Sequence, residues 1–396
     1  MSEWQTFCLK DLGKIVGGAT PSTNNPKNYG NKIAWITPKD LSTLQGRYIK
    51  KGSRSISRLG FKSCSCVLLP KHAILFSSRA PIGYVAIAKK RLCTNQGFKS
   101  IIPNKKIYFE FLYYLLKYHK DNISNIGGGT TFKEVSGATL GLFKVKIPPT
   151  YCEQQKIARM LSILDQKIEN NHKINELLHK ILELLYEQYF VRFDFLDENN
   201  KPYQTSGGKM KFSKELNRLI PSGWSVRFLN HKIVSTYQPK TISKTLLNDS
   251  YSYSVYGGGG IIGRFTEYNH EQSEFIISCR GQCGISYLTL PKSWITGNAM
   301  VIRPTKSYTS KTYLYHTINK YKPTNYITGS VQPQITRQNL STMPILIPKR
   351  KTLNKWNNIS SLLWNLIHNN MQSTQTLTVL RDFLLPLLLK QQVKPQ

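Results

Sequence analysis

The sequence predicts an α+β fold in which two β-rich globular lobes stand in tandem, each followed by a long helix, and the two helices pair as a coiled coil. Three observations support this prediction. The chain repeats itself at a spacing of about 200 residues. Short β-branched runs bounded by turn residues fill each repeat. Two apolar seams with heptad spacing follow the repeats.

The repeat is detected in three pairs of segments that occur in the same order. Small drifts around one spacing indicate a duplicated unit with a few insertions and deletions. The matching pairs are Gly127–Pro149 with Thr328–Pro348, Ile74–Gly83 with Phe275–Gly284, and Ser162–Asn171 with Ser361–Asn370.

Within each repeat, short runs of β-branched and aromatic residues predict strands, and one longer periodic run predicts a helix. The helix covers Ile107–Lys120 in the first copy and Ser310–Lys320 in the second. The strands predicted in the first copy are Ile33–Pro38, Val67–Pro70, Ala73–Ser77 and Gly83–Ala88.

The two long helices carry apolar residues in steps of four and three, which is typical of a coiled-coil seam. An ordinary core helix with exposed asparagines is the alternative. Pro386 should end or kink the second helix. The residues expected to pair are Leu161, Leu164, Ile168, Asn171, Leu178 and Leu185 in the first helix, and Leu363, Ile367, Asn370, Leu377 and Leu384 in the second.

The polar positions in the seams predict a fixed register, because a buried polar residue selects one pairing at a cost in stability. Asn171 and Asn370 fall at equivalent places in the two copies and are expected to face each other. A helix of roughly 39 residues would be about 58 Å long.

These patterns divide the chain into five segments. A polar stretch rich in Lys, Gly, Ser and Asn separates the two copies and predicts a linker. The segments are the first lobe at 1–150, the first helix at 151–196, the linker at 197–222, the second lobe at 223–350 and the second helix at 351–396.

Charge is the feature that most restricts function. The chain has 55 Lys and Arg against 21 Asp and Glu, a net charge of +34, and such an excess is best offset by a polyanion. Double-stranded DNA is the expected partner. An anionic membrane surface is the rival, but the sequence has no amphipathic basic helix to lie on one. Seven cysteines and no secretory signal predict a reduced, cytoplasmic protein.

The residue patterns that catalysis requires are missing from the sequence. Methyl transfer to a base would need a glycine-rich cofactor loop and a polar residue before Pro-Pro-aromatic, and the nearest match is Ile147–Thr150. The glycine runs lack the Lys-Ser/Thr of a phosphate loop, and the cysteines lack the paired spacing of a zinc site. A nuclease would need clustered carboxylates, which the lobes lack. We therefore expect no catalytic residue and no metal site.

The recurring polar turns are instead the expected DNA contacts. Arg79 and Arg280 occupy matching turns, where a guanidinium can fork onto guanine or clamp a phosphate. A solvated turn arginine, a hydroxyl used for capping and an aromatic ring in the core are the alternatives. The contacts expected are Thr20, Ser22, Thr37, Lys39, Arg54, Ser78, Arg79, Asn95, Gln96, Thr130, Lys133, Tyr256, Arg264, Arg280, Asn298, Gln332, Gln334 and Arg337.

With these features the chain resembles the specificity subunit of type I restriction–modification enzymes. The similarity covers nearly the whole chain and rests on three segments in the family's order. They are GGATPSTNNPKNYGNKIAWITPKDLS (Gly17–Ser42), CEQQKIARMLSILDQKIE (Cys152–Glu169) and TGSVQPQITRQNL (Thr328–Leu340).

The resemblance implies more than the residue patterns do. Each lobe would be a target-recognition domain that reads one half of a bipartite sequence, and the two helices would pair antiparallel to set the spacer between the halves. Two methyltransferase subunits would bring S-adenosylmethionine for adenine-N6 methylation, and restriction subunits would add cleavage driven by ATP and Mg²⁺. The chain itself would hold no cofactor and contact no membrane.

Two other classes of function fit parts of the sequence. A stand-alone DNA-binding regulator or architectural protein would share the charge but has no need of tandem copies. A self-contained nuclease would cut DNA in a metal-dependent way.

The second copy departs from the family's pattern, since it lacks the Pro-Ser-Thr opening and carries its own YGGGGIIGRF (Tyr256–Phe265). The two lobes should therefore read different sequences.

Overall fold

A computed structural model describes residues 3–79, 81–128, 133–248, 251–329 and 332–394. Its contacts divide the chain into two units, of which unit 1 comprises Met1–Lys173 with Met371–Gln396, and unit 2 comprises Ile174–Asn370. Each unit therefore contains one lobe and a part of both long helices. The fold is α+β with two tandem lobes and two paired long helices, as the sequence predicts.

Unit 1 begins with alternating short strands and helices and ends in a long helix. Its strands are β1 (Gln5–Cys8), β2 (Gly13–Gly17), β3 (Tyr29–Ile36), β4 (Tyr48–Ile49), β5 (Arg54–Ile56), β6 (Ile74–Phe76), β7 (Val85–Ala88), β8 (Cys93–Thr94), β9 (Lys99–Pro103) and β10 (Lys144–Ile147). Its helices are α1 (Leu9–Leu12), α2 (Pro38–Ser42), α3 (Arg58–Lys62), α4 (Phe109–Tyr118), α5 (Lys120–Asn125), α6 (Gly137–Leu142) and the first part of α7 (Tyr151–Tyr186).

The strands of unit 1 form three sheets around the core. A five-stranded sheet has the order β2-β9-β6-β7-β4, a three-stranded sheet has the order β5-β3-β8, and β1 pairs antiparallel with β10. The predicted strand at Val67–Pro70 is wrong, because only Leu69 forms a bridge, to Leu92. The predicted helix Ile107–Lys120 corresponds to α4, whose Phe111 and Leu112 are fully buried.

Unit 2 repeats this organisation. Its strands are β11 (Met210–Ser213), β12 (Arg218–Pro221), β13 (Ser225–Phe228), β14 (Val234–Tyr237), β15 (Tyr253–Gly257), β16 (Gly260–Phe265), β17 (Phe275–Ser278), β18 (Ser286–Leu288), β19 (Trp294–Ile295), β20 (Ala299–Pro304), β21 (Ile327–Thr328), β22 (Gln334–Ile335) and β23 (Pro344–Ile347). Its helices are α8 (Lys311–Lys320), α9 (Arg337–Leu340) and the first part of α10 (Arg350–Leu389).

Three sheets of unit 2 correspond to the three sheets of unit 1. The order β14-β20-β17-β18 corresponds to β2-β9-β6-β7, the order β16-β15-β19 to β5-β3-β8, and the pair β13-β23 to β1-β10. Three differences stand out. Unit 1 adds β4 at a sheet edge, the predicted linker contains the hairpin β11-β12, and unit 2 adds the strand pair β21-β22. The topology thus confirms the duplication that the sequence predicts.

The two long helices end earlier than the sequence pattern suggests. Helix α7 ends at Tyr186 and continues as a π-turn over Glu187–Val191, and α10 ends at Leu389. Pro386 lies inside α10 instead of ending it. A proline in the last turn removes one backbone hydrogen bond, and the burial of Leu385 and Leu388 in the core of unit 1 offsets that loss.

In unit 1 the two helices run antiparallel. Asn171 Nδ2 donates to Thr374 Oγ1 at 3.2 Å, and Arg381 Nη1 donates to Asp165 Oδ1 at 2.8 Å. As residue numbers rise in α7, those of the partners in α10 fall. The seam residues Leu161 and Ile168 are buried, and Leu164, Leu377 and Leu384 are half-buried.

Unit 2 shows the same antiparallel pairing with other residues. Asn370 Nδ2 donates to Asn175 Oδ1 at 2.9 Å, and Asn175 Nδ2 donates to the Ile367 carbonyl at 3.2 Å. Of the remaining seam residues, Ile367 is buried, and Leu178, Leu185 and Leu363 are half-buried. The polar interruptions in the seam therefore make hydrogen bonds between the helices.

A buried ion network attaches the lobe of unit 1 to its helices. Arg47 bonds Glu110 at 3.2 Å and Glu169 at 3.1 Å, and Arg381 bonds Asp165 at 2.8 Å. The side chains of Arg47 and Asp165 are nearly inaccessible to solvent. Buried charges are tolerated only when they are paired, so the network fixes how the lobe meets the helices.

The corresponding junction in unit 2 is aromatic and histidine-rich. Tyr186 stacks on His316, and Trp356 meets the His316 ring edge-on, with ring centroids 5.5 and 5.3 Å away. Among the described residues, nothing hydrogen-bonds the buried Nε2 of His316. Burial, with a smaller effect of the charge on His179, lowers the pKa of His316 to about 3. Burial, with smaller effects of the charges on Lys311 and His179, lowers the pKa of His368 to about 4.

We expect Asp165→Asn to destabilise unit 1 by about 3–5 kcal/mol, because it leaves the buried Arg381 and Arg47 short of a counter-charge. Asp382→Asn is the matched control, since the exposed Asp382 also bonds Arg381 but exposed pairs contribute about 0–1 kcal/mol. Urea unfolding of the full chain measures both. Equal effects of the two substitutions would contradict the role of the network.

We also expect unit 2 to lose stability as the pH falls below 6.5. The unfolded chain protonates His316 near that ordinary value, whereas the folded chain resists protonation down to about 3. Unfolding therefore takes up a proton, and each such histidine lowers the unfolding free energy by up to about 1.4 kcal/mol per pH unit.

His316→Phe keeps the ring contacts and removes this proton uptake, so it should reduce the loss of stability between pH 7 and 5 by about 2 kcal/mol. Unfolding free energies at the two pH values measure it, with the exposed His231→Phe as control. An unchanged pH dependence in His316→Phe would show that the buried ring is not the cause.

Candidate nucleic-acid interface

In unit 1, several predicted contacts collect where five segments meet at the ends of the sheets. We call residues 17–23, 37–39, 77–79, 94–97 and 133–134 loop cluster 1. Backbone hydrogen bonds hold it together. Ser78 N donates to the Gly97 carbonyl at 2.8 Å, Val135 N to the Ser78 carbonyl at 2.9 Å, and Ala19 N to the Thr94 carbonyl at 3.0 Å.

Two exposed polar side chains of loop cluster 1 are linked across the sequence. The Thr20 hydroxyl donates to Gln96 Oε1. Trp35 Nε1 donates to the Ala19 carbonyl at 3.0 Å, which fixes the backbone beside Thr20. Asn95 uses its own side chain to accept from Gly97 N at 3.1 Å. The loop at 17–23 is therefore held against the turn at 94–97.

Thr37 has a structural task at the start of helix α2. Its backbone N–H and its hydroxyl both donate to Asp40 Oδ2 at 2.8 Å, and Ser53 N donates to Asp40 Oδ1 at 2.6 Å. Burial alone would raise the pKa of Asp40, but these hydrogen bonds lower it below its ordinary value. The capped turn leaves Lys39 exposed on α2.

Arg79 is exposed in loop cluster 1 and paired with an acid. Its Nε donates to Glu134 Oε2 at 2.9 Å, and Lys99 Nζ lies 3.4 Å from Glu134 Oε1. Burial alone would raise the pKa of Glu134, but Arg79 and Lys99 lower it, so the carboxylate stays ionised. Lys133 is exposed beside it, and Thr130 lies outside the described residues.

Unit 2 builds the same backbone frame with different side chains. We call residues 278–280, 296–298 and 332–335 loop cluster 2. Cys279 N donates to the Asn298 carbonyl at 3.0 Å, and Ile335 N donates to the Cys279 carbonyl at 3.1 Å. Arg280 and Gln334 form a backbone bridge, as Arg79 and Glu134 do in unit 1. Arg280, Asn298, Gln332 and Gln334 are all exposed.

Two predicted contacts are wrong because the residues are buried. Ser78 has no exposed surface, and its backbone is hydrogen-bonded to Gly97 on one side and Val135 on the other. Tyr256 lies in the core of unit 2, where its hydroxyl accepts a hydrogen bond from Leu290 N at 3.0 Å. Neither side chain can touch a ligand without a rearrangement of the lobe.

The remaining predicted contacts are spread over the two lobes. Arg264 donates to the carbonyls of Tyr251 and Ser252, so part of its guanidinium is used inside unit 2. Arg337 is exposed at the start of α9, beyond its N-cap Thr336. Ser22 and Arg54 are exposed in unit 1. Ser22 belongs to loop cluster 1, whereas Arg54, Arg264 and Arg337 lie outside both loop clusters, and DNA contact by all four stays a prediction.

Sequence reasoning missed Glu134. Its signal was available, because Glu134 is one of only six acids in residues 1–150 and lies in a loop next to the repeated arginine position. The scarcity of acids in the lobes argues against a nuclease. A single acid opposite an arginine nevertheless changes which groups that arginine can contact.

Sequence reasoning also missed a second apolar line on the long helices. In unit 2, Ile174, Leu177, Ile181 and Leu184 are exposed, with Leu177 at 60%. We call these four the α7 stripe. Each lies one residue before a seam position, and on α10 the residues Ile359, Leu362 and Leu366 repeat the pattern. Exposed apolar patches of this kind mark sites of protein association.

Within the described residues, no group of three or more His, Cys, Asp or Glu side chains is placed to hold a metal ion. No helix in the described part of the chain has the length and hydropathy that crossing a membrane requires. All seven cysteines are free thiols.

Comparison with known proteins identifies the lobes. The family model for the type I restriction modification DNA specificity domain matches residues 1–180 and 221–378. The two matches correspond to the two copies of the repeat, so both halves of the chain carry the family's pattern.

Curated relatives extend the similarity over the full chain. The chain is 32% identical to the MjaIX specificity subunit of a type I restriction enzyme from Methanocaldococcus jannaschii, over 97% of this chain and 92% of that protein. It is 31% identical to the HindI specificity subunit from Haemophilus influenzae, over 46% of this chain and 40% of that protein.

A solved structure shares the fold. The S subunit of a type I restriction–modification system from M. genitalium aligns with a TM-score of 0.61 and 18% sequence identity, covering 98% of this chain and 96% of that one. At this identity the likeness concerns the fold alone.

Proposed function

The chain belongs to the family of type I restriction–modification DNA specificity subunits, and from this premise we propose that its two lobes read the two halves of a bipartite DNA sequence. The observation that carries the proposal is the pair of loop clusters. Both present an exposed arginine on the same backbone frame, yet their neighbouring side chains differ. A duplicated frame with different side chains suits the reading of two different half-sites.

The charge of the chain supports double-stranded DNA as the ligand. A net charge of +34 provides the phosphate contacts that supply most sequence-independent affinity. Exposed Arg, Gln and Asn side chains in the loop clusters are the types that pair with guanine and adenine edges in the major groove. Phosphate contacts would position the protein, and these side chains would specify the sequence.

The long helices support two further roles. Helix α7 has 36 residues, about 54 Å at 1.5 Å per residue, so it is long enough to set the spacer between two half-sites. The α7 stripe and its counterpart on α10 expose apolar residues at coiled-coil spacing, which suits the docking of helices from partner subunits. We assign these surfaces to two methyltransferase subunits.

The reaction itself would belong to the partners. S-adenosylmethionine for adenine-N6 methylation would bind the methyltransferase subunits, and restriction subunits would use ATP and Mg²⁺ for cleavage. This chain would act in the cytoplasm by placing the DNA, through binding energy and orientation and with no catalytic group of its own.

The test uses the full chain and a methyltransferase subunit that copurifies with it from its host. Leu177→Glu combined with Leu184→Glu should weaken their association by about thirty-fold or more, because apolar anchors at an interface contribute about 2 kcal/mol. Adenine methylation of DNA by the mixture should fall in parallel. Asn354→Glu with Asn358→Glu is the control, since it adds the same charge at exposed positions of α10 outside the stripe.

Three results would overturn the proposal. Methyl transfer by the chain alone with S-adenosylmethionine would show that it is an enzyme. Unchanged association in the Leu177/Leu184 variant would reject the docking surface. Sequence-selective DNA binding with no methyltransferase partner in the host would favour a stand-alone regulator.

A further inference from the structure

The matching turns of the two lobes carry the same arginine in different electrostatic surroundings. In both units the backbone of the arginine turn bridges the same partner position, as Arg79 with Glu134 and Arg280 with Gln334. The hydrogen bonds that flank the bridges have nearly the same length, 2.9 Å from Val135 N and 3.1 Å from Ile335 N. The backbone geometry is therefore shared, and the difference lies in glutamate against glutamine.

The contact in unit 1 restricts the orientation of the guanidinium. Arg79 donates to Glu134 through Nε, at 2.9 Å. The side chain remains 50% exposed, and no described residue accepts a hydrogen bond from its two terminal NH₂ groups. Those two groups are the pair that meets guanine O6 and N7 in a bidentate contact. A carboxylate hydrogen-bonded at Nε therefore fixes the plane of the guanidinium and leaves its two NH₂ groups free to contact a base.

Glu134 is itself held from a second side. Lys99 Nζ lies 3.4 Å from Oε1, the oxygen that Arg79 does not use. A carboxylate with two cationic neighbours keeps one orientation better than one with a single partner, because rotation would break both contacts. The group of three carries a net positive charge, so it can still approach DNA.

Unit 2 has no such support. Gln334 is uncharged, and the repeat offset of 201 places the buried Met300 where unit 1 has Lys99. Among the described residues, Arg280 forms no salt bridge, although its side chain is exposed. Arg280 therefore keeps its charge and its rotational freedom, which suits a phosphate contact more than an oriented base contact.

We propose that Glu134 is a positioning residue that orients Arg79 to read a guanine in the half-site of the first lobe, whereas Arg280 contacts phosphate without base selectivity. The proposal rests on the proposed DNA-reading function and assigns a base to one of its side chains. Arg79 would contact O6 and N7 of one guanine, and Glu134 would touch no DNA.

The experiment measures the equilibrium binding of the chain, assembled with its methyltransferase partners, to DNA duplexes. These duplexes carry the target sequence that the complex methylates. Each guanine of the target is replaced in turn by 7-deazaguanine, which keeps base pairing and lacks the N7 acceptor. For the wild-type complex we expect one position in one half-site where the replacement weakens binding by about 5- to 150-fold, the range for a bidentate contact.

Glu134→Gln, which gives the first lobe the side chain of the second, should abolish most of that penalty and leave binding to unrelated duplex unchanged or slightly stronger. Arg79→Ala should abolish it too, and the double variant should add little. Glu134→Asp, which keeps the charge, should retain part of the penalty. Arg280→Ala should weaken binding to all duplexes alike and reduce the salt slope by about 1.

Several results would overturn the inference. They are a 7-deazaguanine penalty that survives Glu134→Gln, a target with no sensitive guanine, and equal loss of all duplex binding in a Glu134→Gln chain with an unchanged melting temperature. A wild-type complex that binds every duplex equally would instead reject the proposed function itself, so the two failures are distinguishable.

Discussion

The antiparallel pairing of two long helices is the constraint on which the rest of the structure depends. Neither α7 nor α10 can bury its seam alone, and most of the stability of such helices comes from packing. Polar residues at Asn171, Asn175 and Asn370 make hydrogen bonds between the helices within each unit. A slip of the pairing would leave these amides unsatisfied in the seam, at about 1–3 kcal/mol each. The asparagines therefore select one register of the two helices.

Each lobe is joined to the helices by its own chemistry. Unit 1 uses buried charges around Arg47 and Asp165, and unit 2 uses aromatic rings around His316 and Trp356. The two loop clusters, in contrast, share one backbone frame and differ only in their side chains. Under the proposed function, this separation would let a duplicated domain change the sequence that it reads without a change in how its turns are built. The main-chain hydrogen bonds keep the arginine turns in place, and single neighbours such as Glu134 or Gln334 adjust them.

The sequence predicted the architecture well because repetition and heptad spacing are properties of the whole chain. It predicted the paired helices, the lobe order and the recurring arginine turn. It failed where tertiary surroundings decide. Ser78 looks like a polar turn residue, but it is fully buried. Tyr256 looks like a stacking platform, but it belongs to the core. Pro386 looks like a helix end, but packing of the last turn keeps it inside the helix. The role of Glu134 becomes apparent only in the folded chain, where it contacts Arg79, which lies 55 residues away in the sequence.

The central claim is that this chain determines which DNA sequence its partners methylate, through two lobes held on paired helices. Mapping N6-methyladenine across the genome of the host, with and without this protein, tests it most directly. We expect methylation in a motif of two short specified segments separated by an unspecified gap of constant length, and we expect that methylation to disappear without the chain. A motif with one continuous block, or methylation that persists unchanged when the chain is removed, would contradict the claim.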